Sequence, residues 1–461
     1  MRSTVGALLG LLAALPLAAW MWGFTVDDAL ISVRYARHLA DGTGYRFNAD
    51  APPTDGVTPL PWPFVLAPFA RADALVVLLR AKSVGLGAWL GAAAALGAAI
   101  ARAPAATWVK AVAFAVVALS VPIAAHAVSG METALAISLA TIASLSSARP
   151  LLAAAIAGLV ASFRPEMGAW SLTLAVGFEL ARTSATRPSP SRLFAAALLA
   201  VAPFTACALL RLAAFGSPAP LSLLAKPSDL PHGLAYAGAA LVVSLTPLLA
   251  LSPLALLRAP RPALAIVAAG AAHFAAILAV GGDWMPYARL AAPIAPSLAY
   301  AFVLAAPHAH KAATITRAAL ALSIGVALLA RGGTSGRIVG PDRAALIAAA
   351  RPLLAGAHRV ATLDIGWASA ATDAHLVDLA GVTDPAFAAL PGGHTSKRVD
   401  ATMLGAPDVI LLYASADGAT YPRAVDSRLA HDESIVQNYE ARAYLPLGAT
   451  GTGYVVLRRK N

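Results

Sequence analysis

Residues 74–100, ALVVLLRAKSVGLGAWLGAAAALGAAI, decide the fold class. A helix needs about 20 mostly apolar residues to cross the hydrocarbon core of a bilayer. This run exceeds that length with only Arg80 and Lys82 as charges. Ten further segments read the same way, at 4–24, 104–123, 132–148, 150–164, 166–181, 193–214, 235–257, 262–280, 288–306 and 313–331. Composition agrees across the 461 residues, which are 59% apolar and only 12% charged. An ordinary soluble domain is about 25% charged, and a water-soluble globule could not hide so much apolar surface. The expectation is a polytopic α-helical membrane protein with about eleven transmembrane helices. The first segment runs on through Trp20, Met21 and Trp22 without a small-residue cleavage pattern, so it reads as an anchor and not a signal peptide. The one cysteine, Cys207, allows neither an intrachain disulfide nor a cysteine-based metal site.

Charge gives the orientation. Residues 332–461 hold 12 basic and 12 acidic side chains, so the net charge of +11 belongs to residues 1–331, with 22 and 11. That excess is spread among apolar segments, which fits membrane topology and argues against a nucleic-acid partner. Arg2, Arg102, Lys110, Arg149, Arg182, Arg187, Arg192, Arg258, Arg261, Lys311 and Arg317 mark a cytoplasmic face, and TRPSPS (Thr186–Ser191) reads as a short connector there. Ten of the eleven acids before residue 332 fall on the opposite face, where any chemistry is expected. An odd number of spans puts residues 332–461 outside as well. Their pattern predicts a small extracytoplasmic α/β domain, with a helix over 341–355 and strands over 359–365, 407–413 and 454–457. The chain thus divides into a membrane domain, 1–331, with an outer loop 25–73, and an outer domain, 332–461. The loop 51–69 is rich in proline and suits a helix on the outer interface anchored by Trp62.

The first polar constellation is FTVDDALISVRYARHLADGTGYRFN, Phe24–Asn48. On a helix entering at Asp27, the residues Asp27, Ile31, Arg34 and His38 share one stripe, while Asp28 points about 100° away. Two roles stand open for Asp27: a site carboxylate, or a helix cap with Arg34 as a solvated partner. Three more acids sit where spans end on the outer side, Glu132, Glu166 and Asp283, and Arg164 and Arg289 lie near the last two. Helix dipoles favour acids in a first turn, but paired arginines in so charge-poor a chain point to function. Guanidinium groups suit the bidentate grip of a phosphate. Acid pairs such as Asp27 and Asp28 can hold a divalent cation, and no histidine cluster implies a transition metal. PGGHTSK (Pro391–Lys397) lacks the spacing of a P-loop.

The stretches DDALISVRYARHLADGTGYRFN, TDGVTPLPW, SGMETAL, FRPEMGAW, GGDWMPYARLAAPIAP, VDLAGVTDP and PGGHTSK follow one another along most of the chain. As a set they resemble the GT-C class of membrane glycosyltransferases, in particular bacterial relatives of the mycobacterial terminal arabinofuranosyltransferase. The chain departs from the pattern at Thr54-Asp55-Gly56, where relatives often carry a glutamate before the glycine. The resemblance implies a multi-pass enzyme of the bacterial plasma membrane and of envelope biogenesis. Such an enzyme moves a sugar from a polyprenyl-phosphate donor to a glycan or lipid acceptor outside the membrane, with inversion. It further implies Asp27 as catalytic base, with Asp28 as supporting acid or metal contact, and Arg34, Arg164 and Arg289 on the donor phosphate. Glu132, Glu166, Asp283, Tyr35 and Trp284 would bind or orient the sugar, and Asp378, Asp384, His394 and Lys397 would face the acceptor. These groups are expected to converge in one pocket. The alternative is a transporter or flippase of lipid-linked sugars, which would need ionisable groups near mid-membrane between discontinuous helices.

Overall fold

The computed structural model describes residues 2–182, 189–249, 253–448 and 451–460. Thr186, Arg187 and Pro188 of the TRPSPS connector lie outside the described residues. The chain forms two compact units: residues 1–24, 81–207 and 228–337 in the first, and residues 25–80, 208–227 and 338–461 in the second. The loop 25–73 therefore groups with the C-terminal chain and not with the helices that flank it in sequence.

All eleven apolar segments carry helix, and length separates them. Among the described residues five stretches are long and apolar enough to cross a membrane: α1 (Arg2–Trp20), α3 (Ala74–Arg102), α9 (Pro190–Phe215), α11 (Arg261–Ala279) and Lys311–Leu354. A sixth arises if α4 (Thr107–Ala118) and α5 (Val121–Ala127), bent by 52° at their junction, count as one broken span. The rest are shorter: α6 (Thr133–Leu145), α7 (Pro150–Phe163), α8 (Gly168–Ala181), α10 (Leu230–Ser244) and α12 (Ala295–Ala305). Fifteen residues reach only about 22 Å, against about 30 Å of hydrocarbon.

α6 and α12 are apolar on all sides because neighbouring helices bury them, whereas α10 is largely bare, with Leu234 64% exposed. Ala136, Ala140 and Ala143 of α6 pack with Ala153 and Ala157 of α7, Trp170 and Leu174 of α8, and Ile266 and Ala269 of α11, nearly all fully enclosed. A hydropathy pattern cannot tell that burial from lipid contact. Elsewhere in this unit large apolar side chains stand bare, Leu12 at 67%, Phe194 at 69% and Leu257 at 82% exposed. That surface requires lipid, and the protein is membrane-embedded. Gly6 and Gly10, one turn apart on α1, let it meet α3 closely, since a Cβ at Gly10 would strike the Ala93 carbonyl.

The second unit contains a five-stranded sheet of β1 (Arg359–Thr362), β2 (His375–Asp378), β3 (Val409–Ser415), β4 (Tyr439–Pro446) and β5 (Thr452–Arg459), in the order β2-β1-β3-β5-β4. β1 lies parallel to β2 and β3, and β5 antiparallel to β3 and β4. The three strands expected from sequence are the central ones, whose continuous apolar runs are buried on both faces. The edge strands gave weaker signals: HLVD is four residues long and YEARAYLP carries charges. The helix expected over 341–355 is α14 (Val339–Leu354), and α2 (Asp27–Ala40) belongs to this unit too. Trp62 is fully buried within the unit, so it cannot serve as the lipid-facing anchor expected of it.

Candidate functional site

In the first unit the charged residues expected from sequence come together. Arg164 ends α7, where Pro165 stops the helix, and its guanidinium lies 2.9 Å from Glu132 Oε1 and 2.7 Å from Glu166 Oε1. Side-chain exposures of 2%, 0% and 9% make this a buried triad. Glu132 Oε2 and Arg164 Nη2 have no hydrogen-bond partner among the described residues. A second pair, Arg289 Nε to Asp283 Oδ2 at 2.7 Å, sits at both ends of one loop. Arg164, Arg289 and Asp283 all act electrostatically on Tyr236 and His126, which places the triad and the pair in one cluster. Three carboxylates and two guanidiniums thus gather in this unit. Trp284 stands 62% exposed and stacks on His232, with centroids 4.0 Å apart and planes 8° apart.

The same loop walls an apolar cleft of about 570 Å³. Met285, Tyr287 and Ala288 face Val121 and Pro122 of α5, Tyr236 and Ala240 of α10, and Leu328 and Arg331 of α13 (Lys311–Arg337). An apolar trough beside guanidinium groups suits an amphiphile with a long tail and an anionic head.

The second unit gathers another set. Asp27 is the first residue of α2, yet it caps a different helix, α15 (Ile365–Ala371): its oxygens accept from the N–H groups of Gly366 and Trp367, both at 2.9 Å. Gly366 is required there, because a Cβ would collide with the Asp27 carbonyl. Arg34, two turns along the same stripe, donates to the carbonyls of Thr372 (3.1 Å) and Ala374 (2.9 Å) beyond the other end of α15, and to Phe47 O at 2.7 Å. A carboxylate at the N-terminus and a guanidinium at the C-terminus complement the dipole of α15. Arg34 is 3% exposed, so it is not the solvated partner expected, and a phosphate would have to displace these bonds.

Around Asp27 stand groups that the sequence did not single out. Asp364, at the carboxyl end of β1, accepts at one oxygen from Arg423 (2.6 Å) and Tyr454 (2.5 Å), and Arg343 of α14 lies 3.5 Å from the Tyr454 hydroxyl. Burial raises Asp27 to about 6, opposed by Arg343 and reinforced by Asp364 and Asp28. Burial also pushes Asp364 upward, but Arg423 and Arg343 outweigh it and hold that acid below its ordinary value. Two neighbouring carboxylates with separated proton affinities are the usual basis for dividing acid and base roles. Asp28 lies 3.9 Å from Lys226. His394 shares their field with that of Arg423 and is lowered to about 4, chiefly by burial.

The remaining expected residues serve the chain itself. Tyr35 donates to Thr54 O (2.8 Å) and accepts from Gly56 N (3.0 Å), pinning the TDG turn, while Asp55 pairs with Arg211 at 2.6 Å in a fully buried bridge. Asp378 accepts from the N–H groups of Ala380, Gly381 and Thr383, Asp384 caps the turn at Pro385, and Lys397 donates to the carbonyls of Ala388 and Leu390. Of the four acceptor-side candidates only His394 stands beside Asp28 and Arg423. Asp364 follows β1, which β2 and β3 flank on opposite sides. Ligand sites favour the carboxyl ends of strands at such a switch point, but the sheet order that marks it is not in the sequence pattern. Arg343 and Lys226 gave no signal there either. Among the described residues no group of three or more His, Cys, Asp or Glu side chains could hold a metal ion.

Comparison with family models, with curated proteins and with solved structures finds no match for this chain. Fold and geometry define a membrane-embedded helical protein that carries a small C-terminal α/β sheet and two clusters of buried charge.

Proposed function

We propose that the chain is a glycosyltransferase of the GT-C class, with the multi-pass topology and extracytoplasmic C-terminal domain inferred from the sequence. The reaction transfers a sugar from a polyprenyl-phosphate donor to an envelope glycan or lipid acceptor. The observation that carries this reading is the cleft of about 570 Å³ whose wall, the loop 281–290, also bears Asp283 and Arg289 beside Arg164. The apolar trough would take polyprenyl units, and Arg164 and Arg289 would meet the phosphate that departs. Fixed positive charge at a developing anion is commonly the largest catalytic term. Asp27 of the second unit, raised by burial to about 6, is the candidate base for the proton of the acceptor hydroxyl, and direct displacement would invert the anomeric carbon.

A second reading, transport of lipid-linked sugars, is favoured by the 52° break between α4 and α5, since discontinuous helices mark transporter sites. The discriminating experiment presents purified protein with several polyprenyl-phosphate sugars, with and without chelator. Transfer is expected, and Asp27→Asn should abolish it while inserting normally. Unchanged transfer in Asp27→Asn removes Asp27 as the base. Flux across vesicles with no transfer from any donor replaces the enzyme by the transporter.

A further inference from the structure

The loop from Gly281 to Leu290 holds an uncommon backbone. Gly281 and Gly282 have φ of 84° and 77°, and Tyr287 and Ala288 have φ of 60° and 47°. Two consecutive non-glycine residues in the left-handed region are strained, because Cβ crowds the backbone carbonyl there. Such strain persists only where surrounding contacts over-determine it.

Those contacts come from three histidines on three helices. His232 of α10 lies 3.2 Å from the Asp283 carbonyl, His126 of α5 lies 3.2 Å from the Pro286 carbonyl, and His273 of α11 lies 2.7 Å from the Leu290 carbonyl. All three use Nε2. A carbonyl can only accept, so His126 and His232 donate from Nε2. His273 also turns Nδ1 to the Glu166 carbonyl at 3.3 Å, and the shorter 2.7 Å contact to Leu290 takes its Nε2 proton. The bonds fall at the start, middle and end of one ten-residue loop. Tyr287 adds a tie by donating to Gly332 O at 2.5 Å, and the Leu290 N–H donates to Tyr236 at 3.0 Å. His126 and His273 are fully buried, within the electrostatic reach of Arg164. An imidazole is a costly choice there unless its N–H is needed, because a leucine would fill the space without desolvating a polar group.

We propose that His126, His232 and His273 are positioning residues that clamp the loop 281–290, whose Met285, Tyr287 and Ala288 line the cleft, so that its Asp283–Arg289 pair is held in a fixed geometry. None of the three touches the reacting groups. They act through the backbone carbonyls that set where the Arg289 guanidinium stands. The kinetic consequence rests on the glycosyltransferase reading, but the clamp itself does not.

Amide hydrogen exchange over residues 281–290 tests the clamp directly, with undecaprenyl-phosphate sugar transfer measured beside it. His126→Leu and His273→Leu keep the apolar fill and lose the donor. Both should exchange at least about tenfold faster in this loop, with the other helices unchanged. His126→Gln and His273→Gln place an N–H near the same point and should exchange at the wild-type rate. In transfer, the leucine variants should lose about 100-fold in kcat/KM with the larger part in kcat, as a mispositioned group does, and the glutamine variants should recover most of it. Wild-type exchange in both leucine variants overturns the clamp. Should the leucine variants fail to insert, fast exchange in the glutamine variants overturns it equally. If the wild-type protein transfers no sugar, the enzyme reading fails, and the exchange comparison still decides the clamp.

Discussion

Glu132 and Glu166 in the first unit are gripped by the guanidinium of Arg164, whereas Asp27 in the second is gripped by two peptide N–H groups. The first arrangement is a charge pairing that fails when either sign is removed. The second is a cap, in which the carboxylate replaces the missing turn of another helix and keeps a proton affinity suited to exchange near neutrality. In both units the buried charge is satisfied by neighbouring groups, a guanidinium in the first and peptide N–H groups in the second.

The sharpest way to break this contrast is to remove the cation. Arg164→Met leaves two buried glutamates without a partner, and uncompensated buried charge costs about 3–5 kcal/mol. We expect loss of folded protein in detergent, measured by thermal unfolding, and partial recovery in the double variant Arg164→Met with Glu132→Gln. Asp27→Ala should be milder, because it removes acceptors from two amides at about 1–3 kcal/mol in total. Its signature is a lower unfolding midpoint with accelerated hydrogen exchange at Gly366 and Trp367. Equal costs for the two substitutions would erase the distinction drawn between them.

The contrast also explains what could be read from the sequence. Arg164 and Glu166 are two residues apart, and Asp283 and Arg289 lie in one short loop, so proximity in the chain announced proximity in space. The bond from Trp367 to Asp27 joins residues 340 apart, and Arg343, Asp364 and Arg423 enter from three different parts of the second unit. No local spacing encodes such a meeting. The amphipathic stripe of α2 was legible, but its partner was not, so Arg34 looked free to hold phosphate when it holds the end of α15. The helices followed the same logic. The hydropathy of α6, α7 and α8 was plain, yet whether alanine faces lipid or another helix depends on packing that the pattern does not contain.

pH sharpens the comparison from the other side. Burial raises Asp27 and Asp378 to about 6 and Asp426 to about 7, all above the ordinary aspartate value. Between about pH 4 and 7 the folded chain thus binds protons that the unfolded chain has released. Stability from these groups is fullest at the acid end of that window and is lost as pH rises through the folded values. Asp364 and Asp408 are lowered and act oppositely, losing their contribution only as pH falls below the ordinary range. Each tenfold gain in proton affinity on folding is worth about 1.4 kcal/mol. His394, lowered to about 4, works against these acids below about pH 6.5, so the test is the difference between the wild type and single aspartate variants at pH 5, 6.5 and 8. Asp426→Asn should flatten the slope between pH 6 and 7.5, and an unaltered slope would remove burial as its cause.

The smallest effects separate residues that share a loop. Asp384 caps the turn that begins at Pro385, and Asp384→Ala should cost about 1 kcal/mol in stability while leaving transfer intact. His394, ten residues on, is half-buried between the fields of Lys226, Asp28 and Arg423, and its removal opens no core. His394→Ala should shift stability by no more than about 0.5 kcal/mol, as surface substitutions do, yet raise KM for the acceptor with KM for the donor unchanged. The measurement is a pair of saturation curves, one for each substrate, on protein whose unfolding midpoint has been recorded. A rise in the donor KM would move His394 from the acceptor to the phosphate, and a loss of stability without a change in either constant would make it another structural residue like Asp384.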